Sequence, residues 1–197
     1  MLELAVLGLL KERSMHGYQL KKSLSETLGP FWQVSYGALY PALKRLSTQG
    51  AVEQVFPKTQ VGRRRNVYRI TDQGEEVFAE LLSSSGDAIG DDNGFRVRLA
   101  FFRYLKPETR IGVLERRRAA LMTRLGELRQ RIAAYRAERA DGYTMTLMRH
   151  GMDSTERDIT WLDELIEAER RATRKARRAR KSAKPTTAGA HTGEAKP

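Results

Sequence analysis

Residues 35–52, SYGALYPALKRLSTQGAV, decide how the rest of the chain is read. Ser35 is placed to cap a helix, and Gly50 is placed to stop it. Tyr36, Leu39, Leu43 and Leu46 recur at helical spacing and predict an inner face. The opposite side carries Gly37, Pro41, Lys44 and Thr48, flanked by Tyr40 and Arg45. A helix that enters the DNA major groove needs such an outer face: small residues let the backbone approach, and a few polar arms reach base edges and phosphates. Pro41 removes an amide donor and crowds the carbonyl of residue 37, which is glycine, so a bent first turn is expected. Alone, the pattern also suits an ordinary surface helix; its neighbours decide.

Upstream, Leu2 to Lys11 is almost wholly apolar and predicts a helix buried on most sides. Ser14 is a candidate cap for a second helix, whose Leu20, Leu24 and Leu28 share one face and which Gly29-Pro30 ends. Downstream the period changes. Val52 to Pro57 and Asn66 to Ile70 read as strands, joined by KTQVGRRR with Arg63, Arg64 and Arg65 in a row. Thr71 then caps a helix carrying Val77, Phe78, Leu81 and Leu82. Three helices followed by a β-hairpin with a basic tip is the order of a winged helix-turn-helix. Arginines at that tip can reach phosphates or an adjacent minor groove, although a charge run is also simply a solvated loop.

Residues 83–94, SSSGDAIGDDNG, have no apolar period and read as a linker and domain boundary. An aromatic segment, FRVRLAFFRYL, follows, and Pro107 is well placed to open the next helix. Leu114, Arg118, Leu121, Leu125, Leu128, Ile132 and Tyr135 form one heptad seam. Met145, Met148, Met152, Thr155, Ile159, Leu162 and Ile166 form a second, beyond a turn at Ala140-Asp141-Gly142. Two such seams predict an antiparallel helical hairpin. Because the hairpin is thin, its seam residues Leu121, Leu125, Leu128, Ile132, Met148, Met152, Ile159, Leu162 and Ile166 are assigned to pairing between subunits, with intramolecular packing as the alternative. Residues 171–197 are basic and rich in small residues, and are expected to be disordered.

The division expected is therefore 1–82 for a winged head, 83–94 for a linker, 95–170 for a helical dimerisation domain and 171–197 for a basic tail, in a mainly α fold. Of the 197 residues, 36 are Lys or Arg and 24 Asp or Glu, a net charge of +12. Ten of the basic residues, against one acid, lie in 170–197. A polyanion partner follows, nucleic acid before membrane. The absence of cysteine excludes thiolate sites and fits a reducing cytoplasm. No apolar run is long enough to span a bilayer, and the start lacks the basic region of a signal peptide. Three histidines, His16, His150 and His191, offer little for a metal or acid–base catalysis. No nucleophile–base pair or phosphate loop stands out, so neither an enzyme nor a cofactor is expected. His16, at a helix start, reads as a structural hydrogen-bonding residue.

MLELAVLGLLKERSMHGYQL, FWQVSYGALYPALKRLSTQGAV and GRRRNVYRITDQGEE together resemble the amino-terminal domain of the PadR family of transcriptional regulators, over residues 1 to about 82. The second half, with FRVRLAFFRYL, MRHG and WLDELIEAER, is similar to the longer carboxy-terminal domain of one PadR branch. The resemblance implies a dimeric repressor with winged heads on a helical base, bound to double-stranded DNA at an inverted repeat and, in some members, responsive to phenolic acids or large aromatic drugs. By position it places Tyr18, Ser35, Tyr36, Gly37, Tyr40, Pro41 and Lys44 at the DNA, beside Arg63, Arg64 and Arg65. Phe95, Phe101, Phe102, Tyr104, Tyr143 and Trp161 are candidates to line an aromatic effector site, with plain packing as the alternative. The basic tail departs from the family pattern. The competing function is a nucleoid-type protein that coats DNA without reading sequence.

Overall fold

The computed structural model describes residues 1–29, 32–55, 66–84, 91–137 and 141–182. The expected wing tip with Arg63, Arg64 and Arg65 lies outside them, as do residues 85–90 of the expected linker and residues 183–197. Helix α1 (Leu2–Glu12) is buried from Leu4 to Leu10 and forms the centre of the head. Strand β1 (Met15–His16) leads into α2 (Gly17–Leu28), then α3 (Tyr36–Thr48), β2 (Val52–Val55), β3 (Val67–Ile70) and α4 (Asp72–Ser83). The sheet order is β1-β3-β2, antiparallel throughout, with Met15 opposite Tyr68 and Gln54 opposite Tyr68 on its other side. The β1 strand was not visible in the sequence, because two residues cannot show a period.

Two local expectations are corrected. His16, not Ser14, caps α2: its Nδ1 accepts from Gln19 N at 3.2 Å while Gln19 Oε1 accepts from His16 N at 3.1 Å, a reciprocal box that satisfies two helix-end donors. Tyr36 is not on the inner face of α3; it is 39% exposed, and Ala42 joins Leu39, Leu43 and Leu46 in the core instead. Ser35 caps α3 as expected, accepting from Ala38 N at 3.2 Å. Gly50, at φ 70°, takes the left-handed position just beyond the helix.

Of the stretch 83–94, Asp91 caps α5 (Asp92–Ala100) by accepting from Asn93 and Gly94 N–H groups, so 92–94 is helix. A single 3-10 turn (Phe102–Tyr104) follows. This segment serves two cores. Val97 and Phe101 belong to the cluster built by α1, α2, α3 and α4, whereas Phe95 and Phe102 pack with Val113, Leu114, Leu121, Leu162 and Ile166. The head core therefore extends past the expected boundary. Arg98, buried at the same junction, donates to Ser84 Oγ at 2.9 Å. Burial first, then nearby Arg116, pushes its pKa below the usual guanidinium range.

Helices α6 (Pro107–Ala137) and α7 (Gly142–Ser182) form the antiparallel hairpin, with Asp141 capping α7. Ion pairs fix the register: Arg110 with Glu169 at 3.2 Å, Arg170 with Glu115 at 2.7 Å, and Arg129 with Glu156 at 2.8 Å. Arg118, which interrupts the first seam, pairs with Asp163. Because α7 continues to Ser182, residues 171–182 of the expected disordered tail are helix.

Candidate nucleic-acid interface

Helix α3 is anchored by Leu39, Ala42, Leu43 and Leu46, all at 0% exposure. Gly37, Pro41, Lys44 and Thr48 face outward, as the helical wheel requires, and all four are exposed. Arg45 turns away: its Nε donates to Glu3 Oε1 at 2.9 Å, tying α3 to α1. Tyr36 and Tyr40 stack, with ring centroids 6.0 Å apart and planes inclined by 24°. Gly17 opens α2 directly beneath Tyr40; a Cβ there would stand 2.9 Å from the tyrosine hydroxyl. Glycine at that point lets the start of α2 and the outer face of α3 meet.

Two depressions border this surface. Tyr40, Lys44, Ser47, Thr48, Gln54 and Tyr68 line one of about 470 Å³, joining α3 to the base of the β-hairpin. Burial, then the neighbouring Tyr40, raises the Tyr68 pKa, so its hydroxyl stays protonated and can donate. The other, about 540 Å³, is lined by Tyr18, Lys21, Lys22, Ser25, Glu26 and Tyr36. The Lys21 ammonium sits 4.1 Å from the Tyr36 ring centroid, a cation–π contact that holds the charge at the start of α3. Tyr18, Ser35, Tyr36, Gly37, Tyr40, Pro41 and Lys44 thus share one surface. Lys21, Lys22, Gln54 and Tyr68 join it and were missed; an i, i+3 step from Tyr18 to Lys21 was the available signal. Hydroxyls and ammonium groups on a protruding helix suit phosphates and base edges.

The other candidate groups are placed differently. The seam residues face each other within one chain: Leu121, Leu125, Ile132, Leu162 and Ile166 are buried there, and Met152 and Ile159 half-buried, with Leu128 and Met148 on the same line. They line the contact between α6 and α7, and Leu128, Met148, Met152 and Ile159 keep part of their surface exposed. Four of the aromatics expected to line an effector site divide between the two cores. Phe101 and Tyr104 pack edge-on to Phe78 in the head, while Phe102 packs on Phe95. Trp161 and Phe95 border a cavity of about 250 Å³ with Arg96, Arg117, Leu121, Asp158 and Leu162. Among the described residues there is no cluster of three or more metal-ligating side chains, and no helix long and apolar enough to cross a membrane.

A small three-stranded sheet behind a helix-turn-helix, with the second helix of the pair exposed, defines a winged helix-turn-helix DNA-binding protein. Comparison with known sequences agrees: residues 6–80 match the transcriptional regulator PadR-like family, and residues 93–170 match the family described as virulence activator alpha C-term. Over residues 6–80 the chain is similar to the PadR-like family of transcriptional regulators, and it spans less than half the length of the curated PadR relative it matches. It is 33% identical over 83 residues to the negative transcriptional regulator PadR of Bacillus subtilis, a match spanning 41% of this chain and 44% of that protein. Among solved structures, it resembles the B. subtilis PadR–operator DNA complex (19% identity, 85% of this chain and 98% of that one, TM-score 0.40). It also resembles a transcriptional regulator from Clostridium thermocellum (26% identity, 40% and 75%, TM-score 0.38).

Proposed function

We propose that the protein is a dimeric, sequence-specific repressor that reads an inverted repeat with α3 and acts on DNA in the cytoplasm. The observation that carries this reading is the exposed Gly37–Pro41–Lys44 face with Tyr40 beside it, mounted on a fully buried leucine face. The B. subtilis relative, described as a negative regulator, supports repression. The wing arginines Arg63, Arg64 and Arg65 add phosphate contacts that carry no sequence information. For the dimer, the seam is occupied within the chain. The second copy covers the neighbouring face of α7 instead, where Tyr143, Leu147 and Trp161 are 88%, 71% and 44% exposed. A small flat aromatic effector, where one acts, fits the cavity between Phe95 and Trp161 better than the head core that holds Phe101 and Tyr104. The proposed division is a head of 1–82, a linker of 83–94 and a helical base of 95–170, with residues 92–104 also packing into the head core.

The test compares operator and random DNA. Tyr40→Ala or Lys44→Ala should weaken operator binding by about 1–3 kcal/mol more than random binding. A wild-type operator-to-random ratio near one would favour a nucleoid-type coating protein and refute the reading.

A further inference from the structure

Helix α7 is longer than its partner needs. Arg110 of α6 pairs with Glu169 of α7, and α6 begins three residues earlier, at Pro107. In an antiparallel pair α6 therefore runs out opposite residue ~172, and about ten residues of α7 continue beyond it, roughly 15 Å of helix. This overhang is at the head end of the base, because α6 starts directly after the 3-10 turn whose Tyr104 packs on Phe78. From Arg174 to Ala179 every side chain is exposed.

The overhang carries only positive charge. Arg171, Arg174, Lys175 and Arg178 fall at i, i+3, i+4 and i+7, one continuous stripe, and none has an ion pair among the described residues. The last acid of α7 is Glu169, whose carboxylate is already taken by Arg110. Like charges at these spacings work against the helix. The helix dipole rewards a cation in the last turn, but not a stripe two turns long. The four charges span about 10.5 Å of helix axis, so the stripe is dense enough to face several phosphates of a strand that carries one per about 3.4 Å of duplex axis. Beside the stripe lie Ala172, Ala176 and Ala179, which let a helix about 10–12 Å wide come close to a groove about 12 Å across.

We infer that the overhanging end of α7 is a second DNA-binding element, a basic helix that lies along the phosphates of duplex DNA without reading its sequence. The inference rests on the DNA-binding reading of the head, but the two fail separately. DNA supplies the negative charge that the stripe lacks, and binding holds the overhang as helix.

The experiment uses the full chain with two variants. The first replaces Arg171, Arg174, Lys175 and Arg178 by Gln, which keeps helix propensity close to that of the parent residues. The second, Ala176→Pro, keeps every charge and breaks the overhang. Affinity for a random 40-base-pair duplex and for the selected operator is measured at three salt concentrations. Each phosphate that is no longer neutralised should lower the log K against log salt slope by about 0.9, so the glutamine variant should fall by about 2–4 in slope. Operator and random DNA should both weaken ten- to a hundredfold, with their ratio unchanged. The proline variant should show a comparable fall. An unchanged slope in the glutamine variant overturns the inference, and so does a proline variant that binds like the parent. Loss of binding to vesicles containing one-third phosphatidylserine, with the DNA slope intact, would assign the stripe to a membrane surface and also overturn it. Operator preference abolished in Tyr40→Ala but kept in both α7 variants tests the head independently.

Discussion

The approach of Phe101 to Gly8 offers a direct measurement of whether the segment after the linker belongs to the head. A Cβ built on Gly8 would stand 2.5, 2.6 and 2.7 Å from three ring carbons of Phe101. That ring cannot swing away. It is 0% exposed and is held edge-on to Phe78, with centroids 6.0 Å apart and planes at 86°. Gly8→Ala should therefore cost about 1–3 kcal/mol as an overpacked core, at the upper end because the neighbour is a rigid ring. Phe101→Ala should cost about 3–5 kcal/mol, from the apolar surface returned to water and the cavity left behind. Combined, the new methyl enters space the ring has vacated, so the double variant should be about 1–3 kcal/mol more stable than the sum of the singles predicts. Urea unfolding reads this if Trp161 is first replaced by Phe. The remaining indole, Trp32, packs against the head core and reports on it alone. Costs that add within about 0.5 kcal/mol would mean that the two residues do not touch, and residues 92–104 would then have no place in the head.

Three further outcomes follow from the same packing. His16→Ala should lower head stability by about 1 kcal/mol and His16→Asn by much less, since asparagine can also accept from the Gln19 N–H; thermal melts distinguish them. Leu162→Asp leaves a charge at a site 1% exposed, so circular dichroism should show the α6–α7 helical signal melting at a lower temperature, not a well-folded monomer. Leu147→Ser, at a site 71% exposed, should instead leave the melt of the helices intact and shift light scattering toward monomer; an unchanged dimer would remove the α7 outer face from the interface.

Where a segment has one task, its sequence displays it. Leu39, Leu43 and Leu46 serve only the head core, and their spacing marked α3, its inner face and the DNA-facing side opposite. The seams of α6 and α7 were equally plain as helices. What pattern alone could not supply was the partner: an a/d stripe looks the same whether it meets the other arm of its own hairpin or a second chain. Charge held the missing clue. Arg110, Glu115, Arg118 and Arg129 on one helix have their opposites at Glu169, Arg170, Asp163 and Glu156 on the other, at separations that fall steadily along the chain, as an antiparallel fold-back demands.

Helix α5 shows the opposite case, a segment with two tasks. Phe95 and Phe102 turn toward the hairpin, while Val97 and Phe101 turn toward α1, so apolar residues lie on both sides and no single face emerges. A polar linker precedes it, and the linker dominates any reading by composition. The consequence is mechanical. Head and base are not joined by a free tether at this point, because one nine-residue helix contributes side chains to both cores. Arg117 of α6 reinforces the joint by pairing with Asp92 and lying 5.4 Å from the Phe95 ring centroid. A change in how the hairpin packs on Phe95 therefore reaches Val97 and Phe101 within a turn or two of helix, and through them α1 and the seat of α3. The cavity between Phe95 and Trp161 lies on this path, so a change of packing at its walls is felt at the seat of α3.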